Sequence, residues 1–141
     1  MPASLPIDAL LPGLTEFLHA GVSCVIDAPP GSGKTTRVPL ALMDAPWLGG
    51  RKILMLEPRR LAARSAARHM AGLLREKTGG RIGYRTRLDT RVSKETRVEV
   101  VTEGVLTRML LHDPELSGYG CVIFDEFHEC GLHGDLGLTL T

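Results

Sequence analysis

Apolar and polar positions follow two rhythms along this chain, and the changes between them mark its elements. Residues 7–20 carry a helical pattern, interrupted early by Pro12 and Gly13, after which Leu14, Phe17 and Leu18 share a face. Residues 22–28 are a short apolar run closed by PPGSG, which reads as a strand and then a turn. A helical pattern resumes over 34–43. Residues 52–56 form a continuously apolar strand closed by Glu57-Pro58. The clearest helix is 59–77, with Ala63, Ala66, Ala67, Met70 and Leu74 on one face, Arg60, Arg64 and Arg68 on another, and Gly79-Gly80 as its stop. Residues 81–87 and 97–101 read as strands separated by a polar loop, 103–112 as a helix, and 121–124 as a strand running into Asp125-Glu126. A weak helical pattern fills 131–140.

Strands alternating with helices predict an α/β domain with a mostly parallel sheet flanked by helices. Ligands of such sheets bind at the carboxyl ends of the strands. The length of 141 residues fits one domain with a sizeable core. The 43% apolar and 23% charged content excludes wholesale disorder. No apolar run is long enough to span a membrane, and the first residues lack the pattern of a secretory leader. Cys24, Cys121 and Cys130 are scattered and form no C-x-x-C pair, which predicts a reducing, cytoplasmic setting.

The net charge of +1 is uninformative, but its distribution is not. Residues 51–110 hold fifteen of the seventeen Lys and Arg and six of the sixteen Asp and Glu, a net of +9; the rest of the chain is −8. A basic centre of this kind fits a polyanion surface, and equally a set of solvated arginine-rich helix faces.

Two short motifs carry chemistry, each at the end of an expected strand. Ala28-Pro29-Pro30-Gly31-Ser32-Gly33-Lys34-Thr35 fits the phosphate-loop pattern, with Ala in place of the usual first Gly. Its glycines let successive backbone N–H groups aim at phosphate oxygens, and the helix starting near Lys34 adds its N-terminal dipole. Lys34 then reaches the β- and γ-phosphates and the Thr35 hydroxyl ligates Mg²⁺. Ninety-one residues after Lys34, Asp125 would hold Mg²⁺, through water, and Glu126 would orient and deprotonate the attacking water. His128 fits either a polar link to another domain or a plain surface imidazole. His128, Cys130 and His133 suggest zinc, but their spacing matches no common zinc pattern.

Taken together, APPGSGKTT at 28–36, EPRR at 57–60, TEG at 102–104 and DEFH at 125–128 resemble motifs I, Ia, Ib and II of superfamily 2 helicases, in that order. The strings LEPRRLAARSAARHMA, IGYRTR and VVTEGVLTRML bring the chain nearest to the HrpB-type ATP-dependent helicases of the DEAH/RHA-like group. The resemblance covers nearly the whole chain. It implies that 1–141 is a RecA-like phosphate-loop NTPase domain, the first motor domain of an ATP-dependent RNA helicase, apparently truncated before motif III. It implies ATP or another NTP and Mg²⁺ as cofactors. The implied ligands are Ala28 to Thr36 (Ala28, Pro29, Pro30, Gly31, Ser32, Gly33, Lys34, Thr35, Thr36) for nucleotide, with Thr35, Asp125 and Glu126 toward the metal and Lys34, Asp125 and Glu126 in catalysis. Arg59 or Arg60 and the segment Thr102, Glu103, Gly104 would touch a nucleic-acid backbone, RNA rather than DNA, and His128 would couple the nucleotide to a second motor domain of the parent chain. No membrane partner is implied.

The chain departs from the family at Cys130, where Arg is usual, and at His69, where relatives place an Arg on the nucleotide base. Arg64 and Arg68 read as solvated or structural. Two other functions fit parts of this picture: a non-catalytic nucleotide- or RNA-binding module, and a small phosphate-loop kinase, for which no Arg-rich lid is seen.

Overall fold

The computed structural model describes residues 6–21, 23–26 and 33–125. Five strands form one sheet in the order β3-β2-β4-β1-β5. They are β1 (Lys52–Leu56), β2 (Ile82–Arg85), β3 (Thr90–Arg91), β4 (Val98–Val101) and β5 (Tyr119–Phe124). All pairings are parallel except that of β2 with the two-residue β3. This is the mostly parallel, helix-flanked α/β architecture expected from the alternation of elements.

Among the described residues, four helices flank the sheet: α1 (Leu11–His19), α2 (Lys34–Leu42), α3 (Arg60–Leu73) and α4 (Glu103–His112). In β1, Ile53, Leu54, Met55 and Leu56 are fully buried. A strand enclosed on both faces has to be apolar throughout rather than alternating. Each such side chain stabilises the fold by about 1.5–3 kcal/mol. Successive residues still point to opposite faces. Ile53, Met55, Val98, Val100, Ile82 and Tyr84 join the core under α1, α2 and α3, with Leu14, Val38, Leu42, Ala63, Ala67 and Met70. Leu54, Leu56 and Val101 face the other way and pack with Val105 and Leu106 of α4 and with Leu116.

Several local readings need correction. Pro12 does not interrupt a helix; it lies in the first turn of α1, where its missing N–H costs nothing, and a 3₁₀ turn over Pro6–Leu10 precedes it. Phe17 does not share the buried face of Leu14 and is 58% exposed. Helix α3 stops at Leu73, short of Gly79-Gly80: the Leu74 N–H closes onto the last turn, and Arg75 then takes a left-handed conformation (φ 58°). Residues 23–26 carry no strand pairing, although β5 has a neighbour on one side only among the described strands. Instead, Ser23 and Cys24 line a cavity of about 370 Å³ with Trp47, Cys121 and Val122 along β5. Burial of the Cys121 thiol pushes its pKa up to about 11.

The polar loop between β2 and β4 contains the unforeseen β3. Its return lies so close over Gly83 that a Cβ there would collide with the Arg91 carbonyl and with Val92. Helix α2 contains Pro39 in its interior, which removes one helical N–H donor.

Candidate functional site

The carboxyl ends of β1, β4 and β5 lie side by side, and α3 and α4 begin there directly from β1 and β4. The N-cap residues of α2, α3 and α4 are Gly33, Arg59 and Thr102, and none caps its helix with a side-chain hydrogen bond. Helix starts left without such caps favour an anion through the dipole and the outward N–H groups.

Gly33 sits at φ 95°, ψ 6°, a left-handed conformation that any side chain would strain. Its carbonyl accepts from the Thr36 N–H at 3.3 Å and the Arg37 N–H at 2.8 Å, so the chain turns straight into α2. Lys34, Thr35 and Thr36 therefore occupy the first turn of that helix. At the end of β5, the Asp125 N–H donates to the Leu56 carbonyl at 3.1 Å and continues the β5–β1 pairing one residue past the strand. The Asp125 side chain is 7% exposed. The Thr35 hydroxyl donates to Asp125 Oδ2 at 3.0 Å, joining two residues ninety positions apart.

A further carboxylate escaped the sequence reading. Glu57 follows β1, is 3% exposed, and its N–H donates to the Val101 carbonyl at 2.9 Å. Leu56 and Phe124 are register partners facing α4. By alternation, Glu57 and Asp125 follow them toward the α2 side. An acid ending an otherwise apolar strand was the available signal. The remaining expected site residues, Ala28, Pro29, Pro30, Gly31, Ser32, Glu126 and His128, lie outside the described residues, as do Cys130 and His133 of the zinc alternative. Among the described residues no group of three or more His, Cys, Asp or Glu side chains is arranged to hold a metal ion.

The expected polynucleotide residues occupy the same end of the molecule. Arg59 and Arg60 are exposed around a shallow depression with Leu61, Ala62 and Ser65. Thr102 and Glu103 are half-buried at the start of α4, and Gly104 is exposed, with open space where a Cβ would stand. Arg68 and His69 are exposed on α3, and Arg64 forms an ion pair with Asp89 at 3.8 Å.

That ion pair leads to a second feature the sequence reading passed over. The β2–β3 hairpin presents Arg87, Leu88, Thr90 and Arg91 to solvent. It is held from within. The Thr86 N–H and hydroxyl donate to the Asp89 carbonyl at 2.8 and 3.0 Å, and the Asp89 N–H donates to Thr86 Oγ1 at 3.1 Å. The Tyr84 hydroxyl donates to Asp89 Oδ2 at 2.5 Å. The Tyr84 bond, aided by the charges of Arg64 and Arg91, holds the Asp89 carboxyl below its ordinary pKa. The string GYRTRLDTR carried the signal, in arginines at 85, 87 and 91 that follow an aromatic anchor.

Comparison with known proteins places these features in one lineage. The sequence profile of the DEAD/DEAH box helicases matches residues 13–136. The chain is 54% identical over 138 residues to the ATP-dependent RNA helicase HrpB of Escherichia coli (strain K12), covering 98% of this chain and 17% of that protein. It is 37% identical over 138 residues to the pre-mRNA-splicing factor ATP-dependent RNA helicase DEAH10 of Arabidopsis thaliana, covering 97% of this chain and 19% of that one. The crystal structure of the Escherichia coli DEAH/RHA helicase HrpB superimposes with a TM-score of 0.90 at 53% identity, over 97% of this chain and 17% of that one. The fold is thus the RecA-like domain of such helicases, and the chain spans about a fifth or less of the length of these relatives. From the profile match, the identities and the shared fold, the chain belongs to the DEAD/DEAH box helicase family.

Proposed function

We infer that residues 1–141 form the N-terminal nucleotide-binding motor domain of an ATP-dependent RNA helicase of the HrpB type, working in the cytoplasm with a second motor domain of a longer chain. The observation that carries this reading is the 3.0 Å hydrogen bond between Thr35 and Asp125. It puts a phosphate-loop hydroxyl and a strand-end carboxylate against each other at the carboxyl edge of a parallel sheet.

The donor set suits Mg²⁺, since a hydroxyl and a carboxylate are hard oxygen ligands. Thr35 and Asp125 would hold the ion, which when bound neutralises phosphate charge in phosphoryl transfer. Lys34 sits one residue before Thr35 in the first helical turn and serves the β- and γ-phosphates. The backbone of Ala28 to Gly33 cradles the phosphates, and Thr36 stays within reach of them. Glu126, next to Asp125, orients the attacking water and takes its proton. His128 links nucleotide to the partner domain.

RNA is gripped through its phosphates by Arg59, Arg60 and the Thr102–Gly104 turn, with Arg87 and Arg91 of the hairpin extending the same basic face. Such contacts confer affinity without reading sequence. The alternative of a module that binds nucleotide or RNA without turnover shares every one of these contacts, and differs only in lacking a catalytic partner domain.

The test is equilibrium binding of a fluorescent ATP analogue to the chain, with and without Mg²⁺. Lys34→Ala is expected to weaken binding about 10- to 100-fold, the loss of a charged hydrogen bond to phosphate. Equal affinities for the two proteins would overturn the assignment of the phosphate loop.

A further inference from the structure

Asp89 is an acid in the midst of a basic face. It lies two residues from Arg87 and two from Arg91, and it meets Arg64, which is one helical turn beyond Arg60 on α3. As a mere surface charge it would oppose a polyanion. Its bonds show another use. One carboxylate oxygen, Oδ2, takes the hydroxyl of Tyr84, a side chain only 2% exposed in the main core, and faces the Arg64 guanidinium at 3.8 Å. The Asp89 backbone closes the turn on Thr86 in both directions. The strand after it is pressed onto the bare backbone of Gly83.

We propose that Asp89 is a positioning residue for polynucleotide, bracing the β2–β3 hairpin between Tyr84 and helix α3 so that Arg87 and Arg91 stand in fixed relation to Arg60. A turn fixed in advance loses little conformational entropy when a phosphate backbone settles on it. The Tyr84 bond carries most of the bracing. The Arg64 pair is long and about a third exposed on both sides, and pairs of that kind contribute little. The inference rests on the polynucleotide reading given above.

Asp89→Ala and Asp89→Asn separate charge from position. Both remove the same negative charge, but only Asn keeps an acceptor for the Tyr84 hydroxyl. Binding of a fluorescein-labelled single-stranded oligo(U) RNA to the chain is followed by anisotropy across a salt series. Asp89→Ala is expected to bind about tenfold more weakly, the loss of one charged phosphate contact, with a shallower salt dependence by about one contact. Asp89→Asn is expected to bind at least as tightly as the unaltered chain. Tyr84→Phe, which leaves every charge in place, is expected to weaken binding like Asp89→Ala, and the double variant Tyr84→Phe/Asp89→Ala to be no weaker than either. Equal affinities for the Ala and Asn variants, or tighter binding by both, would overturn the bracing role. Failure of the unaltered chain to bind the RNA would instead overturn the polynucleotide reading, and the bracing role with it.

Discussion

Two buried carboxylates stand at opposite ends of the same sheet, and their surroundings differ. Glu99, in β4 near the amino ends of β1 and β5, is fully buried and receives three side-chain donors: Lys52 Nζ at 3.0 Å, Tyr119 OH at 2.7 Å and Arg85 Nε at 3.2 Å. Burial by itself would push its pKa up. The Tyr119 hydroxyl and the Lys52 and Arg85 charges more than offset this and hold the carboxyl below its ordinary value. Asp125, at the carboxyl end, is nearly as buried and, among the described residues, accepts the hydroxyl of Thr35. Glu99 is saturated by its own chain and ties β1, β2, β4 and β5 together. Asp125 lies where helix starts lack side-chain caps and where a ligand can complete the shell. On the function proposed above, the contrast separates a carboxylate that holds the fold from one that would hold a metal ion.

The sharpest way to break the contrast is Glu99→Ala. It strands two cations over a buried hole and is expected to cost about 3 kcal/mol of unfolding free energy, read by urea denaturation. Nucleotide affinity of the folded fraction should stay unchanged. Thr35→Val is the opposite case. It keeps side-chain volume and removes the hydroxyl facing Asp125, so stability should change by about 1 kcal/mol or less. Mg²⁺-dependent nucleotide binding should fall about 10- to 100-fold, by titration of a fluorescent analogue. A large stability loss with intact binding would make Thr35–Asp125 a structural pair like Glu99.

The smallest effect is a pH dependence. The folded-state pKa of Glu99 is lowered, so its contribution is fully present above the ordinary carboxylate value of 4.5 and is lost as pH falls below 4.5 through the folded value. Stability of Glu99→Gln should therefore vary less than that of the parent chain across that acid range, measured by denaturation at a series of pH values.

Most of the frame was legible because its signals are local. The unbroken apolar run of β1 announced a doubly covered strand, and helix α4 falls on the expected span 103–112. The face of Ala63, Ala66, Ala67 and Met70 is buried as its spacing requires. What failed depended on partners distant in sequence. Residues 23–26 are apolar enough for a strand but pair with none of the five strands of the sheet. The end of α3 was assigned to a glycine pair, whereas Arg75 accepted the left-handed turn several residues earlier. Within the site, Thr35 and Asp125 were legible from their motifs. Glu57, Asp89 and the hairpin arginines were not, because their placement depends on strand alternation and on a two-residue strand too short to leave a pattern.

Pro39 has a consequence for anyone seeking to make this domain sturdier. In a regular helix the N–H at position 39 would tether the carbonyl of Thr35, four residues earlier. Proline withholds that tether from the residue whose hydroxyl meets Asp125. An alanine at 39 is an obvious thermostabilising substitution on helix propensity alone, by up to about 3 kcal/mol. Yet Pro39 is itself buried, and trimming its ring to a methyl group would leave a cavity in the core beneath α2. Helix propensity gained there would be set against packing lost, so this proline is better left alone in any engineering of the chain.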